Sequence, residues 1–231
     1  KEEQLHIIVL DNSTDDYVVE NKEYFPIDLL TYHSMGGNVG LSKAYNYALS
    51  ILKDKSEDDI VIWFDDDTPV KQEYFDCLKN KVVDKTIDVF VPVIYGQNGV
   101  IYSPNESGWL KGKYIKSLEQ QISQNKFNAI NSCLAVRLKA YKGYTYDEGL
   151  FMDCVDTKLF DDFRKKELKF CTLPVKIYQN FFQRSDSRNV KKYWNRFRIR
   201  INDTLYYSSL NGFSSKLCGY IRILGWSLVY G

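Results

Sequence analysis

The stretch IVIWFDDDTPV, residues 60–70, runs from an apolar strand directly into three consecutive aspartates, followed by a threonine and a proline. Three adjacent carboxylates repel one another and resist burial, so their position at the mouth of a hydrophobic strand requires a neutralising partner. Hard divalent cations such as Mg²⁺ and Mn²⁺ prefer carboxylate oxygens and commonly bridge a protein to substrate phosphates. We therefore interpret the stretch as a strand that ends in a metal site.

Within the triplet, the two outer residues are the predicted metal ligands. Alternate residues of an extended segment point to the same side, so Asp65 and Asp67 should reach one site while Asp66 faces away. A plainer alternative stays open, in which the aspartates form an acidic turn that caps a helix beginning near Lys71.

Strand and helix patterns alternate on both sides of this stretch. Before it, LHIIVL (5–10) and IDLLTYH (27–33) are apolar runs typical of strands, and LSKAYNYALSILK (41–53) has helical spacing. After it, we expect a helix over about 71–83 and a strand in DVFVPVIY (88–95). This β-α-β-α-β order predicts an α/β fold with a mostly parallel sheet and helices on its faces.

Three polar features fall on one edge of the predicted sheet. Ligands of such sheets bind beyond the carboxyl ends of the strands, where Asp11, the glycine-rich loop 36–40 and the aspartates 65–67 should meet. Each feature alone has a simpler interpretation, since DNSTDD (11–16) is compatible with a capping turn and GGNVG with a flexible loop. The glycines match neither the dinucleotide nor the P-loop fingerprint.

Four motifs in order resemble the inverting glycosyltransferases of family 2, which have the GT-A fold. They are VLDNSTDD (9–16), GGNVGLSKAYNYAL (36–49), IVIWFDDDTP (60–69) and YDEGLFMDCVDTKLFDDFRKKELKF (146–170). The last motif is most similar to the bacterial rhamnosyltransferase and galactofuranosyltransferase branch. The resemblance covers about residues 5–174 and implies a Rossmann-like GT-A fold. It also implies an enzyme that transfers a sugar from a nucleotide-diphosphate donor, dTDP-rhamnose or a UDP-sugar. The acceptor would be a hydroxyl of a glycan or of a lipid-linked molecule in cell-surface polysaccharide synthesis.

Family members also have a strand and helix before the strand at Leu5, so we expect this chain to lack that unit. Many carry a late histidine on the metal, whereas the two histidines here, His6 and His33, are both early. The resemblance thus implies Mg²⁺ or Mn²⁺ held by two aspartates, the diphosphate and water.

The resemblance also assigns the remaining site residues. It implies that Asp65 and Asp67 bind the metal, that Asp156 is the general base and that Arg164 lies on the same helix. The residues predicted to lie against the donor or acceptor are Arg164, Asp11, Asn38, Gly40, Asn46, Asp66, Asn131 and Ser132. For the last two, an ordinary strand with Ser132 satisfied locally is an equally good interpretation.

The chemistry independently requires a carboxylate in the second half of the chain. An inverting transfer needs a base that takes the proton of the incoming hydroxyl, and the candidates are Asp147, Glu148, Asp153 and Asp156. We favour Asp156, because a helix is predicted to start there and its dipole would keep the carboxylate ionised. Asp153 is the second choice, and a simple N-terminal cap is the alternative role for Asp156.

The C-terminal part differs in composition, so we predict a catalytic domain over 1–180 and a basic, aromatic helical extension over 181–231. Its segment KKYWNRFRIRINDTLYYSSL (191–210) suits amphipathic helices in peripheral contact with a membrane through 190–231. Helices packed on the catalytic domain are the alternative. A formal charge of +1 argues against a nucleic-acid partner. Five scattered cysteines suit a cytoplasmic protein, which would lie at the inner face of the membrane if the membrane contact forms.

Two other functions remain open at this stage. A haloacid-dehalogenase-like phosphatase also uses aspartates after a strand, but Pro69 stands where its pattern needs threonine or valine. A non-catalytic nucleotide- or carbohydrate-binding protein would keep the polar edge without a base. A glycosyltransferase would release nucleoside diphosphate from a sugar donor, a phosphatase would release inorganic phosphate, and a binding protein would release nothing. The released product therefore separates the three functions.

Overall fold

The computed structural model of the protein describes residues 5–13, 30–108, 112–181 and 190–230. In the first part, two short strands pair in parallel with Ile7 opposite Leu30, and a helix follows the glycine-rich loop. The bounds of these elements are β1 Ile7–Asp11, β2 Leu30–Ser34 and α1 Leu41–Leu52.

The central sheet has the strand order β10-β4-β9-β3, and β5 also pairs with β4. Its strands are β3 Ile60–Trp63, β4 Val89–Gly96, β5 Ile101–Ser103, β9 Leu134–Arg137 and β10 Phe170–Gln179. β10 runs parallel to β4, as in an α/β fold, whereas β9 lies antiparallel between β3 and β4. The β-α-β-α-β pattern did not anticipate this insertion. β9 follows small strands rather than a crossover helix, and this route reverses its direction.

Helices cover both faces of this sheet, as predicted. Alternate residues of a strand face opposite sides, so Val89 and Val91 pack into one core cluster and Phe90 and Ile94 into the other. The first cluster contains the inner face of α3 (Val155–Lys165) and the second that of α2 (Gln72–Lys81). The predicted α/β fold class is confirmed, but the expectation of a mostly parallel sheet is wrong, because among the described strands only β1–β2 and β4–β10 pair in parallel and β1–β2 form a sheet of their own.

A small antiparallel sheet lies between β5 and β9 in the sequence. Its strand order is β7-β6-β8, with β6 Asn105–Glu106, β7 Lys113–Tyr114 and β8 Phe127–Asn128. Short 3₁₀ helices over Gln124–Lys126 and Leu138–Tyr141 follow β7 and β9 respectively. This sheet extends the molecule on the side of α3, whose contacts include β8.

The C-terminal segment is helical, as predicted, and forms a hairpin of α4 (Val190–Ser209) and α5 (Phe213–Tyr230). The two helices approach closely at Gly219, where an added Cβ would lie 2.4 Å from the Ser208 hydroxyl oxygen. Only a glycine permits that contact, which fixes which side of α5 faces α4. In the part of the chain that the structure describes, every helix is too short or too polar to cross a bilayer.

Candidate active site

Two strand ends and one helix start meet at the candidate active site. Asp65 follows β3, Gln179 ends β10, and Asp156 is the second residue of α3. The Gln179 side-chain nitrogen donates a hydrogen bond to a carboxylate oxygen of Asp65 at 3.1 Å. Asp65 is close enough to Asp156 for its negative charge to raise the pKa of that residue. The sheet therefore brings together carboxylates that lie about ninety positions apart in the sequence.

The three aspartates form a turn, which corrects the expected extended geometry. The Thr68 N–H donates to the Asp65 carbonyl oxygen at 3.4 Å, so Asp66 and Asp67 occupy the corners of the turn, where both are exposed. The strand ends at Trp63, because charged residues next to a proline favour a turn over further sheet pairing. Strand alternation therefore does not distinguish Asp66 from its neighbours, and the choice of Asp65 and Asp67 stays a prediction.

Asp65 is the most enclosed member of the triplet. Burial raises its pKa, hydrogen bonds from Gln179 and Ser132 lower it, and the charges of Asp67 and Asp66 raise it again. The Ser132 hydroxyl also lies 3.1 Å from that of Thr68, which ties the turn to the segment before β9. This concentration of negative charge is what a bound cation would relieve.

The donor set fits a hard divalent ion that shares its coordination with a substrate. Among the described residues, no three His, Cys, Asp or Glu side chains are grouped to hold an ion by themselves. Mg²⁺ typically takes one or two protein carboxylates and completes its shell with phosphate oxygens and water. Asp65 and Asp67 are suited to that partial role.

Asp156 has the environment of a general base. Burial and the charge of Asp65 raise its pKa to about 7, although a backbone hydrogen bond from Asn131 opposes the shift. The helix dipole favours the ionised form by only about 0.3–1 kcal/mol near a surface, and burial outweighs this contribution. The N-cap of α3 is Cys154, so the capping role considered for Asp156 is not observed.

Asp153, the second candidate base, is engaged in an ion pair. Both of its carboxylate oxygens accept hydrogen bonds from the Arg196 guanidinium of α4, one of them at 3.0 Å. Both carboxylate oxygens of Asp153 are therefore occupied by the guanidinium, as in a bidentate ion pair. Asp156 stays the predicted base.

The segment that leads into α3 is held by a buried carboxylate of α4. Asp203 is 3% exposed and accepts backbone hydrogen bonds from Phe151 at 3.1 Å and from Met152 and Asp153 at 2.7 Å. No sequence motif marked Asp203, because its role depends on a contact across fifty positions of chain. Together with Arg196, it fixes the backbone from which α3 starts.

The glycine-rich loop packs against the same segment. Gly40 has φ +88° and ψ 163°, and an added Cβ would lie 2.8 Å from both the ring and the carbonyl oxygen of Phe151. That carbonyl accepts a hydrogen bond from the Leu41 N–H at 2.7 Å. Asn12 holds the other side of the loop, because its side-chain oxygen accepts a hydrogen bond from the Val39 N–H at 3.2 Å. Gly40 is therefore required by packing, whatever its contact with a donor.

Asp11 lies at the end of β1, on the far side of this loop. It is buried, accepts a hydrogen bond from the Ser13 N–H at 2.8 Å and receives the Tyr32 hydroxyl. Burial and the bond to Asp11 raise the pKa of Tyr32 to about 12. The predicted nucleotide contact is thus a carboxylate with a fixed orientation.

Asn38 and Asn46 make contacts within the protein. Asn38 accepts a hydrogen bond from the Gly40 N–H at 3.2 Å, which shapes the loop. Asn46 pairs with the backbone of Tyr146, accepting at 2.8 Å and donating at 3.0 Å, and also donates to Glu148 at 3.1 Å. The structure therefore shows Asn46 joining α1 to the segment before α3.

Arg164 lies at the opposite end of α3 from Asp156. Its guanidinium donates to the Phe127 carbonyl oxygen and to Asp161, which also receives the Tyr207 hydroxyl. These bonds join α3 to the small sheet and to α4, and the structure does not bring Arg164 to the group of Asp65 and Asp156.

Asn131 is the polar group of the site with the greatest unused bonding capacity. It is 3% exposed, and neither its amide nitrogen nor its amide oxygen has a well-formed hydrogen bond among the described residues, although the amide lies close enough to the Tyr45 hydroxyl to lower the pKa of that tyrosine. The oxygen of the Gln179 amide likewise has no well-formed hydrogen bond among the described residues. Buried amides are costly to leave unsatisfied, so both point to a polar ligand.

Tyr45 and Gln179 are site residues that sequence reasoning missed. Tyr45 appeared only as an apolar position of α1, yet burial and the charges of Asp156 and Asp65 raise its pKa. Its ring packs against Trp63 and Tyr146 with centroids 4.7 and 5.0 Å away. The position of Gln179 after an apolar strand was the available signal for that residue.

A separate cavity of about 1,050 Å³ lies between α3, the hairpin α4–α5 and the small sheet. Residues from each wall include Thr157, Tyr207, Trp226 and Asn128, and none of the residues predicted for the site lines it.

Comparison with known proteins identifies the family. Residues 3–145 match the family described as "Glycosyl transferase family 2", which is more than half of the chain. The chain belongs to glycosyl transferase family 2. The matched segment includes Asp11, loop 36–40, the aspartates 65–67, Asn131 and Ser132, whereas Asp156 and Arg164 lie beyond it. No curated protein matches this chain.

A solved structure supports the GT-A fold of this family 2 glycosyltransferase. The chain is similar to GalNAc-T7, in a crystal structure with UDP, GalNAc and Mn²⁺, with a TM-score of 0.57 and 15% identity. The similarity covers 89% of this chain and 44% of the length of that one. Family membership argues against the phosphatase alternative.

Proposed function

We propose that this glycosyltransferase catalyses an inverting, divalent-metal-dependent transfer of a sugar from a nucleotide-diphosphate donor to a hydroxyl of a glycan or lipid-linked acceptor. The observation that carries the proposal is Asp156, a carboxylate whose pKa is raised to about 7 next to the aspartate turn. A base works best when its pKa lies near the working pH, and inversion needs one base opposite the leaving group.

On the donor side, each predicted residue has a distinct part. Asp11 binds the base or ribose of the nucleotide, and loop 36–40 lies along the donor. Asp65 and Asp67 would hold Mg²⁺ or Mn²⁺, with Asp66 exposed beside them. When bound, the cation offsets the negative charge that builds on the departing diphosphate.

On the acceptor side, the chain supplies a base and polar contacts. The Asp156 carboxylate takes the proton of the incoming hydroxyl while the new glycosidic bond forms, and its neighbour Tyr45 excludes water from one side. The unsatisfied amide of Asn131 provides a donor and an acceptor for sugar hydroxyls, with Ser132 beside it. After transfer, the proton leaves from Asp156 to solvent.

For the substrates, we infer dTDP-rhamnose or a UDP-sugar as donor and a growing cell-surface polysaccharide as acceptor. Support comes from the similarity of residues 146–170 to rhamnosyltransferases, and from the UDP named for the solved neighbour. A lipid-linked acceptor would place the protein at the cytoplasmic face of a membrane, in contact through 190–231.

The test has two stages. Nucleotide sugars are first screened by thermal shift with Mn²⁺, with Mg²⁺ and with a chelator, and the donor that stabilises only with metal is then assayed for products. Metal-dependent release of nucleoside diphosphate and formation of a glycoside of inverted configuration are expected. Retained configuration, or turnover unaffected by the chelator, would reject the mechanism.

A further inference from the structure

The outer side of α5 presents a row of exposed apolar residues, here called the α5 apolar face. Their exposed fractions run from 46% for Leu217 to 89% for Leu228. The five members are Phe213, Leu217, Tyr220, Leu224 and Leu228.

Helix geometry places these residues in one stripe. Their spacing of four, three, four and four positions keeps all five within an arc of about 80° at 3.6 residues per turn, along about 22 Å of helix. The opposite side of α5 packs on α4, where Gly219 meets Ser208 and the Trp226 ring lies 4.0 Å from the Arg200 guanidinium. The hairpin therefore buries one side of α5 and leaves the apolar stripe outside.

The hairpin that carries this face is strongly basic. Within 190–230 the one carboxylate, Asp203, is buried under the backbone of 151–153. Arg198 and Lys216 are exposed. The basic residues of the segment are Lys191, Lys192, Arg196, Arg198, Arg200, Lys216 and Arg222.

The structure also corrects which cations are available to a partner. Arg196 is engaged with Asp153, and Arg200 stacks on Trp226, so neither presents a simple outward-facing charge. The side chains of Lys191 and Lys192 lie outside the described residues. Apolar contact by α5, with the exposed Lys216 on the same helix, is therefore the main contact that the hairpin offers.

An anionic surface suits these features better than a second copy of the chain. Two copies would bring like charges together, and a stripe about 22 Å long and 10 Å wide offers a few hundred Å², well below the roughly 800 Å² per partner of a stable interface. A lipid surface accepts an apolar stripe lying in its plane and attracts flanking Lys and Arg.

We propose that the α5 apolar face docks on an anionic bilayer, with the axis of α5 parallel to the membrane surface. This refines the membrane contact of the proposed function and names the residues that enter the lipid. Since α4 holds the backbone of 151–153 through Asp203, the docked hairpin carries the start of α3 directly. The base would then stay at a fixed height above the lipid.

Flotation with vesicles tests the proposal on the whole chain. The protein should bind vesicles of phosphatidylcholine with phosphatidylglycerol and not phosphatidylcholine alone. The double variant Leu224→Ser, Leu228→Ser should bind at least about tenfold more weakly. Val83→Ser removes a 73% exposed apolar residue elsewhere and should change nothing. Equal binding by wild type and double variant, or by neutral and anionic vesicles, overturns the proposal.

A second pair of variants adds a reporter without removing the face. Phe213→Trp should gain a blue-shifted emission component on anionic vesicles, whereas Val83→Trp should not. Absence of that difference overturns the proposal. A wild-type dimer that the double variant abolishes, found without any vesicle binding, overturns it as well.

Transfer to a water-soluble acceptor should be normal in the double variant. Failed docking with normal transfer therefore rejects the docking alone, and absent transfer in the wild type rejects the proposed function alone.

Discussion

In the proposed mechanism, the protonation state of Asp156 decides at which pH transfer can occur. Burial and the nearby charge of Asp65 raise its pKa to about 7, so at neutral pH about half of the free enzyme carries the base in its active form. Below saturation with donor and acceptor, kcat/KM should therefore rise with pH and level off above about pH 8. The measurement is kcat/KM against pH with a soluble acceptor. A rate that is flat between pH 5 and pH 9 would contradict the assignment.

Replacement by asparagine separates chemistry from binding. Asp156→Asn keeps the shape and removes the proton acceptor, so transfer should fall by about 10²- to 10⁴-fold while donor affinity changes little. Asp153→Asn serves as the comparison, because it breaks the ion pair with Arg196 and leaves the base in place. A larger loss in the Asp153 variant would move the base to that residue.

The same substitution should stabilise the free protein in a pH-dependent way. The folded pKa of Asp156 lies above its unfolded value of 3.8, so the fold favours the protonated form and loses stability as pH rises from about 4 to about 7. Asparagine is neutral throughout. The melting temperature of Asp156→Asn minus that of wild type, measured without metal or donor, should therefore grow across this window. A difference independent of pH would show that Asp156 is not buried as described.

The predicted metal site makes two of the three aspartates of the turn essential for metal binding and the third dispensable. Asp65→Ala removes the enclosed carboxylate together with the acceptor of the Gln179 hydrogen bond, and Asp67→Ala removes an exposed one. Each should abolish Mn²⁺-dependent stabilisation by the donor, because an ion that uses two protein carboxylates does not tolerate the loss of one. Asp66→Asn is the control, and equal losses at all three positions would reject the choice of ligands.

At the scale of elements, periodicity predicted most of the fold and missed what depends on distant pairing. The helix expected over 71–83 is α2, and the strand expected in 88–95 is β4. The antiparallel position of β9 could not be found, because an apolar run such as LAVR (134–137) carries no information about its neighbours. The turn at Asp65 was misjudged for a local reason, since strand geometry was extended past Trp63 into residues that favour turns.

The contact between α4 and the start of α3 gives a prediction about an element rather than a catalytic group. Asp203→Asn leaves one acceptor for three backbone donors, which should cost about 3 kcal/mol of stability. Misplacement of the base should also lower kcat more than it raises the KM of the donor. Asn202→Ala, at an exposed neighbouring position of α4, is the matched control. A variant with normal kcat and lowered stability would show that Asp203 only supports the fold.

At the scale of the whole molecule, the site is assembled from parts that no single motif contains. The motifs predicted Asp11, the glycine loop, the aspartates and Asp156, all of which lie at or next to the ends of regular elements. Tyr45, Arg196 and Asp203 could not be predicted, because each acts through a partner between about 40 and 110 positions away. For Gln179, which bonds to Asp65, the one signal was its position at the end of an apolar strand. Long-range contacts of this kind are set by packing and leave no local pattern.

The same contacts bear on the predicted division into residues 1–180 and 181–231. Because α4 supplies Asp203 and Arg196 to the backbone that starts α3, we expect a chain ending at residue 181 to melt at a lower temperature and to lose transfer. A chain ending at residue 211 keeps both side chains and loses only α5, so it should retain more transfer to a soluble acceptor while losing vesicle binding. Melting curves and initial rates of the three chains provide the comparison. If the 181-residue chain melts and turns over like the full one, the C-terminal hairpin is an independent unit and Asp203 has no part in holding the base.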